Sequence, residues 1–270
     1  MIKVNNYVEI KYSLFPNNEI KIAPLSVNCD NDIKIELFYD NSIDIMNLIF
    51  LKKYIDEKYP TNTQVNLYMY YIPYERMDRE TYNQMFTCKY FAQLINSLNF
   101  SKIFVLDPHS NVSVGALERI IQLDLTYYVR QVIDDEREKA NNIDAIFMPD
   151  VGAYKKYSEV LSAIDLPKFW GNKHRDLDDG RITDYDIIGD YIVKDKNILI
   201  VDDLCVKGYT TLFAAKKLKE LGAKSVIFYC SHCEDNIHAG DLLKTDYVDH
   251  IYTTNSLRHD QHSKITDITL

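Results

Sequence analysis

The sequence predicts an α/β fold built on mainly parallel sheets, and three observations carry that prediction. Short apolar runs of about 4–7 residues recur along the chain, rich in β-branched or aromatic side chains, as in strands buried on both faces. Stretches with apolar residues at helical spacing lie between them. The two kinds of segment alternate rather than segregate, which favours parallel strands joined by helical crossovers.

Taken in order, strands are expected at residues 35–38, 65–71, 102–106, 145–148, 197–201 and 225–229. A helix is expected over 43–59, stopping before Pro60, which cannot continue it. Residues 86–98 have the same character. A third helix over 210–221 ends at Gly222, a residue suited to a left-handed C-terminal cap. The polar stretch 134–142 is either a domain boundary or an exposed helix face. The boundary reading divides the chain into 1–134 and 135–270. Residues 172–186 are dense in charge, lack periodicity and read as a long loop, a feature commonly functional or disordered in compact domains.

With 270 residues, 46% of them hydrophobic, the chain can bury a sizeable core in one large domain or two ordinary ones. A formal charge of −9 argues against a general nucleic-acid binder, which needs a basic stripe to meet phosphates. A small phosphorylated ligand needs only local Lys, Arg, backbone N–H groups or a bridging metal. No apolar run reaches the ~18–20 residues that span a bilayer. The start lacks the basic region and apolar core of a signal peptide. A soluble cytoplasmic protein without a membrane partner is therefore expected. Of the five cysteines, Cys29, Cys88, Cys205, Cys230 and Cys233, only the last two form a C-x-x-C pair. No second pair closes a zinc site, so reduced thiols used in packing are expected.

The most informative stretch is Ile198-Leu199-Ile200-Val201-Asp202-Asp203-Leu204-Cys205-Val206-Lys207-Gly208-Tyr209-Thr210-Thr211. A buried strand runs into two adjacent carboxylates, a short turn follows, and a helix begins near Thr210. Ligands of open α/β sheets bind beyond the carboxyl ends of the strands. A helix N-terminus there offers unpaired N–H groups and a positive dipole end to a phosphate, while Asp202 and Asp203 can accept from vicinal ribose hydroxyls. The plainer alternative is a helix cap beside two solvated acids.

This stretch resembles the ribose-phosphate pyrophosphokinases (phosphoribosyl-diphosphate synthetases), whose acidic pair is followed by a loop resembling Asp-Thr-Gly-Gly-Thr. Other segments extend the resemblance in family order over nearly the whole chain. Phe15-Pro16-Asn17-Asn18-Glu19 is similar to the family's Phe-Pro-Asp-Gly-Glu segment, and Ile72-Pro73-Tyr74-Glu75-Arg76-Met77-Asp78-Arg79 to its Pro-Tyr-Ala-Arg-Gln-Asp-Arg segment. Leu106-Asp107-Pro108-His109-Ser110 resembles Asp-Leu-His-Ala, Met148-Pro149-Asp150-Val151-Gly152 resembles Ser-Pro-Asp-Ala-Gly, and Asn172-Lys173-His174-Arg175 resembles Asp-Lys-Arg-Arg. Near the end, Cys230-Ser231-His232-Cys233 sits where the family has Ala-Thr-His-Gly, and Tyr252-Thr253-Thr254-Asn255-Ser256 is similar to Val-Thr-Asn-Thr.

The resemblance implies two phosphoribosyltransferase-like domains, each a mainly parallel sheet flanked by helices, and a homo-oligomer with shared active sites. It implies Mg2+-dependent transfer of the β,γ-pyrophosphoryl group of ATP to the anomeric hydroxyl of a ribose phosphate, releasing AMP. Lys173, Arg175 and His109 would be catalytic, with His109 and Asp150 as metal ligands. Phe15, Asn17, Glu19, Arg76 and Asp78 would bind ATP. Asp202, Asp203, Val206, Lys207, Gly208, Tyr209 and Thr210 would hold the ribose and its phosphate.

The sugar-phosphate loop departs from the family pattern. Val206 removes an acid, Lys207 adds a cation with reach, and Tyr209 replaces a residue with wider backbone freedom. Met77 stands where the family has a hydrogen-bonding Gln. A free cation and an exposed aromatic suit an acceptor carrying a diphosphate and a base. A phage branch of the family resembles that description and pyrophosphorylates ADP-ribose as a first step in rebuilding NAD. ADP-ribose is accordingly favoured as acceptor over ribose 5-phosphate. A base phosphoribosyltransferase and a non-catalytic regulatory subunit are the rival readings.

Overall fold

The structure is a computed structural model and describes residues 1–6, 8–25, 32–175, 182–189, 191–257 and 260–270, with the backbone alone for 173–175 and 182–184. Packing divides the chain into two units, Met1–Leu123 and Asp124–Leu270.

The first unit opens with the short strands β1 (Ile2–Val4) and β2 (Val8–Glu9), then a small hairpin of β3 (Tyr12–Leu14) and β4 (Ile20–Ile22). There follow β5 (Asp32–Leu37), helix α1 (Ser42–Lys58), β6 (Gln64–Met69), α2 (Thr87–Ser97), β7 (Lys102–Val105), α3 (Asn111–Ala116) and β8 (Ile120–Gln122). The main sheet runs β2-β1-β5-β6-β7-β8, parallel from β5 to β8 and antiparallel at β1 and β2.

Helix α1 starts where Asn41 accepts from the Ile43 N–H and Asp44 reciprocates, a capping box. It stops at Tyr59, ahead of Pro60, as the sequence indicates. Ile45, Leu48, Leu51 and Ile55 form a stripe at helical spacing and are buried with Ile33, Ile35, Val65 and Leu67 of the sheet. Each such side chain contributes about 1.5–3 kcal/mol through burial.

The second unit contains α4 (Leu125–Glu138), β9 (Ala145–Met148), α5 (Val151–Val160), β10 (Lys168–Arg175), β11 (Ile182–Ile188), β12 (Asn197–Cys205), α6 (Tyr209–Glu220), β13 (Ser225–Cys233), β14 (His250–Thr254) and β15 (Ile265–Ile268). Its seven-stranded sheet runs β11-β10-β9-β12-β13-β14-β15, parallel except for the β10–β11 edge. Residues alternate between two apolar layers. Ile198 and Ile200 join one, and Leu199 and Val201 the other.

Three sequence expectations change here. Residue 134 lies inside α4, whose Val129, Val132 and Ile133 pack into the second unit, so the division falls ahead of it and the exposed-face reading of that polar stretch applies. The expected loop over 172–186 contains strand backbone on both sides. Lys173 pairs with Tyr185, His174 with Asp184 and Arg175 with Ile182, antiparallel at the sheet edge. An edge hairpin needs no apolar run, which is why its charged sequence hides it. Finally, β12 continues to Cys205 rather than ending at 201, so Asp202 and Asp203 lie within the paired strand. Helix α6 begins at Tyr209, and Gly222 adopts the left-handed conformation just past its end, as expected.

Candidate active site

In the second unit, several expected residues collect at the carboxyl ends of β9 and β12, neighbouring parallel strands. Asp150 follows β9 and caps α5, accepting from the Ala153 N–H at 2.8 Å. Farther along the same helix, Lys156 reaches the Asp203 carboxylate at 3.5 Å. Asp203 is 8% exposed, and Asp202 is half-buried. The Asp202 Oδ1 accepts from the Asp203 N–H at 3.0 Å, and the Asp203 Oδ1 from the Leu204 N–H at 2.8 Å. Local carboxylate bonds thus hold the backbone where the ladder nears its end.

Tyr185 lies among these acids. Its hydroxyl donates to the Pro149 carbonyl at 2.6 Å, and burial, with the Asp150 and Asp202 carboxylates, holds its ionisation far above the ordinary tyrosine range. It therefore serves as a neutral donor fixing the turn before Asp150. Lys156 and Tyr185 carry no motif and escaped the sequence reading. The one signal for Tyr185 is Gly171 on the adjacent strand, where a Cβ would fall 2.1 Å from its hydroxyl oxygen.

The loop after β12 borders a cleft of about 280 Å3 lined by Asp202, Leu204, Cys205 and residues 206–211. Gly208 is the N-terminal cap of α6, with φ 71° and ψ 18°. A Cβ there would lie 2.5 Å from the Leu242 side chain, so both conformation and space require glycine. Tyr209 is the first helical residue and 50% exposed, and Lys207 is also exposed. The expectation that Tyr209 restricts a needed backbone freedom is corrected: the left-handed position is Gly208, and Tyr209 changes only the space at the cleft mouth. Val206 and Thr210 are half-buried beside them.

In the first unit, Phe15, Asn17 and Glu19 occupy the β3–β4 turn. The Phe15 N–H donates to the Glu19 carbonyl at 2.9 Å, and the Asn17 Oδ1 accepts from the Glu19 N–H at 3.2 Å. Phe15 is 49% exposed, so it is available as a stacking surface rather than part of a core. Arg76 is exposed and Asp78 half-buried on the loop after β6. His109 is exposed, and its backbone N–H donates to the Glu75 Oε2 at 2.9 Å. Glu75 is 1% exposed. It is a buried acid, missed in the sequence, that ties the Arg76 loop to the His109 loop.

Both loops carry strain at that tie: Tyr74 has φ 67° and Asp107 φ 45°. Each such residue costs of order 1–2 kcal/mol, and a bulky tyrosine there needs support. The Tyr74 hydroxyl meets the Ser42 hydroxyl at 3.2 Å, its carbonyl accepts from the Met77 N–H at 2.9 Å, and its ring packs 5.3 Å from that of Phe91.

Lys173 and Arg175 fall on the backbone of the β10–β11 hairpin, and residues 176–181 of the expected loop lie outside the described residues. The carboxylate of Asp150 suits Mg2+, a hard cation that binds through one or two carboxylates and keeps several waters. Among the described residues, the group of three or more ligand-type side chains whose atoms lie within 4.8 Å is instead Cys205, Cys230 and Cys233. No helix of the described residues is long and apolar enough to cross a membrane.

The sequence profile described as "Phosphoribosyl transferase domain" matches residues 115–262, more than half of the chain. A ribose-phosphate pyrophosphokinase from Marinomonas sp. is 28% identical over 200 residues, covering 72% of this chain and 61% of that relative. The corresponding protein of Campylobacter jejuni is 26% identical over 191 residues, covering 69% and 59%. The chain thus spans about three-fifths of the curated relatives it matches. The crystal structure of phosphoribosylpyrophosphate synthetase from Mycobacterium smegmatis superposes with a TM-score of 0.77 at 17% identity, covering 97% of this chain and 86% of that one, a likeness of fold.

Proposed function

The chain belongs to the phosphoribosyltransferase domain family, and from that premise we propose that it is a pyrophosphokinase acting on a ribose 5-phosphate-type acceptor. The observation that carries this reading is the collection of Asp150, Asp202, Asp203 and Lys156 at the carboxyl ends of β9 and β12, beside the cleft of residues 206–211. The names of the curated relatives support the same reaction.

In the reaction, the anomeric hydroxyl oxygen bonds to the β-phosphorus of ATP as the bridge to the α-phosphorus breaks and AMP leaves. Asp202 and Asp203 accept from the ribose hydroxyls and fix the orientation of the nucleophile. The N-terminus of α6 and the loop N–H groups of Lys207, Gly208 and Thr210 meet the acceptor's 5′-phosphate. Lys173 and Arg175 neutralise charge on the transferring group. Phe15 stacks on adenine, Asn17 and Glu19 meet its polar edge, and Arg76 and Asp78 serve the ATP phosphates and their metal. His109 and Asp150 are the proposed Mg2+ ligands. When bound, Mg2+ neutralises phosphate oxygens and holds them for in-line displacement. The exposed β3–β4 turn suits the sharing of an ATP site between copies of the chain, so a homo-oligomer is part of this reading.

For the acceptor, we propose ADP-ribose, placing the chain in NAD rebuilding. Lys207 and Tyr209 support this choice: both are exposed at the cleft, a cation for a second phosphate and a ring for a base. The test is AMP release from Mg·ATP, run in parallel with ADP-ribose and with ribose 5-phosphate, using wild type and Lys173→Ala. Turnover with ADP-ribose, abolished in a folded Lys173→Ala variant, is expected. Turnover with ribose 5-phosphate alone would refute the acceptor assignment. Wild-type rates in Lys173→Ala would refute the catalytic one, and no turnover with either acceptor would refute the reaction.

A further inference from the structure

Three of the five cysteines meet inside the second unit. The Sγ atoms of Cys205, Cys230 and Cys233 all lie within 4.8 Å of one another, and the residues are 2%, 0% and 0% exposed. Regular strand geometry would keep them apart. Cys230 and Cys233 are three positions apart on β13, which places them on opposite faces of an ideal strand. The β12–β13 ladder is irregular at one level, however. Asp202 pairs with Cys230 and Leu204 with His232, but the level of Asp203 and Ser231 between them has no paired register. The Asp203 and Leu204 N–H groups donate there to carboxylate oxygens instead.

Past that level both strands change face together. Ile198, Ile200, Val226, Phe228 and Cys230 follow the alternation into one apolar layer, and Cys205 and Cys233 return to it out of phase. Cys205 and Cys233 are register partners, with Cys230 alongside. Two strands slipping phase at the same level have brought three sulfurs to one point.

We propose that Cys205, Cys230 and Cys233 form a three-sulfur site for a trivalent thiophilic centre of the arsenite type. Donor number is the first argument. Structural Zn2+ takes four ligands, and the group has three among the described residues. Size is the second. Sulfurs held ~2.3 Å from one centre lie about 4 Å apart, so the cluster needs only a small closure. Charge is the third. A monovalent or divalent cation on three thiolates leaves net negative charge in a layer shared with Phe228, Ile237 and Leu242, which is costly to bury. A trivalent centre on three thiolates is neutral.

The chemistry balances without a redox partner. Arsenous acid, As(OH)3, exchanges each As–O bond for an As–S bond. Each hydroxide leaves as water with one thiol proton, and arsenic keeps its oxidation state. Burial pushes the Cys230 thiol well above its ordinary range, so it enters the exchange as the neutral S–H that this condensation consumes. Cys205 borders the cleft before the acceptor loop, which supplies a route in. The site stands independently of the reaction proposed above.

The test uses the reduced 270-residue chain treated with arsenite, freed of excess, and assayed for bound arsenic and, by peptide mapping after alkylation in denaturant beside an arsenite-free control, for cysteines that arsenic protects. One arsenic per chain is expected, with Cys205, Cys230 and Cys233 protected together. Cys233→Ser and Cys205→Ser should each lose the retained arsenic, and Cys88→Ser, buried in the other unit, should keep it. The wild-type mapping decides the matter even if a serine variant fails to fold. No retained arsenic, or retained arsenic with the three cysteines still alkylated, would overturn the proposal. So would stoichiometric Zn2+ retention on the same cysteines.

Discussion

The acceptor loop can be displaced without touching any residue that would contact substrate. Gly240 follows the short 3-10 turn Asp235–Ala239 and has φ −91° and ψ −174°, an extended conformation open to any residue. Gly240→Ala therefore brings no backbone strain of its own. It does bring a collision. The new Cβ would lie 2.2 Å from the Lys207 carbonyl oxygen, 3.0 Å from its carbon and 3.2 Å from its Cα. Comfortable contact begins near ~3.5 Å, so the two segments must part by about 1 Å. Every obstructing atom is backbone, so no rotamer change relieves it. Leu242, two residues on, meanwhile packs against Gly208 at the other side of Lys207. The displacement should therefore pass into residues 206–208. Overpacking of this kind costs about 1–3 kcal/mol of stability. A misplacement of ~1 Å at a reacting group costs up to about 100-fold, or ~2.7 kcal/mol of transition-state stabilisation. Steady-state AMP release at varied acceptor and varied ATP, with a thermal melt of each protein, reads both effects. The expected result is a folded variant whose kcat/KM for acceptor falls by one to two orders of magnitude while its KM for ATP is unchanged. A folded Gly240→Ala with wild-type acceptor kinetics would show that residues 206–208 do not hold the acceptor.

Two further predictions address the other clusters. Glu75→Ala should leave the His109 N–H without its partner, costing about 1.5–3 kcal/mol and lowering kcat, with Glu75→Gln milder because an amide oxygen still accepts; equal wild-type kcat in both would remove Glu75 from the positioning of His109. Tyr252→Phe removes a hydroxyl 2.5 Å from Asp135 and 2.6 Å from Glu136, and should cost about 1.5–3 kcal/mol at pH 7 in denaturant unfolding. The Tyr252 hydrogen bond, followed by that of Lys139, holds the Asp135 carboxyl below its ordinary range, so this stabilisation is present above the unfolded pKa of ~4 and is lost as pH falls through the lower folded value. The gap between wild type and Tyr252→Phe should narrow below about pH 4, and a gap constant to pH 2 would refute the assignment.

The parallel core was legible because its strands are buried on both faces and so write themselves as unbroken apolar runs. Residues 145–148 and 225–229 needed nothing more. The edge strand β11, and the end of β10 that pairs with it alone beyond Trp170, were not legible, since a sheet edge is solvated and carries charge for that reason. The end of β12 was hidden by the same logic: Asp202 and Asp203 look like a strand's end, yet the ladder continues past them with carboxylates taking over two N–H groups. The candidate site was legible where chemistry is concentrated in a short motif, as with the acidic pair and Gly208. It was not legible where one side chain acts across the fold. Lys156 meets Asp203 from another helix, and Glu75 meets His109 from another loop. The three cysteines are free and buried, as expected of packing thiols, but their convergence was not legible: the spacing of Cys230 and Cys233 implies opposite faces of a regular strand, and only a phase slip shared by two strands reverses that.

That distinction between conformation and space also bears on the acceptor. A glycine pair in a phosphate loop has two separable uses, a left-handed turn and room for close approach. Here Gly208 alone supplies the turn, with φ 71°, and its Cβ position is filled by Leu242. Tyr209 begins α6 with helical backbone and is absent from the positive-φ residues, so a second glycine is not needed for conformation. What the tyrosine changes is the cleft mouth, where a half-exposed ring stands beside the exposed Lys207. A terminal 5′-phosphate gains nothing from a ring at that point. A 5′-diphosphate carrying a base gains a cation for its second phosphate and a stacking surface. On the acceptor proposed above, the loop's departure from the family pattern would extend the site outward rather than dismantle it, making room for a larger acceptor.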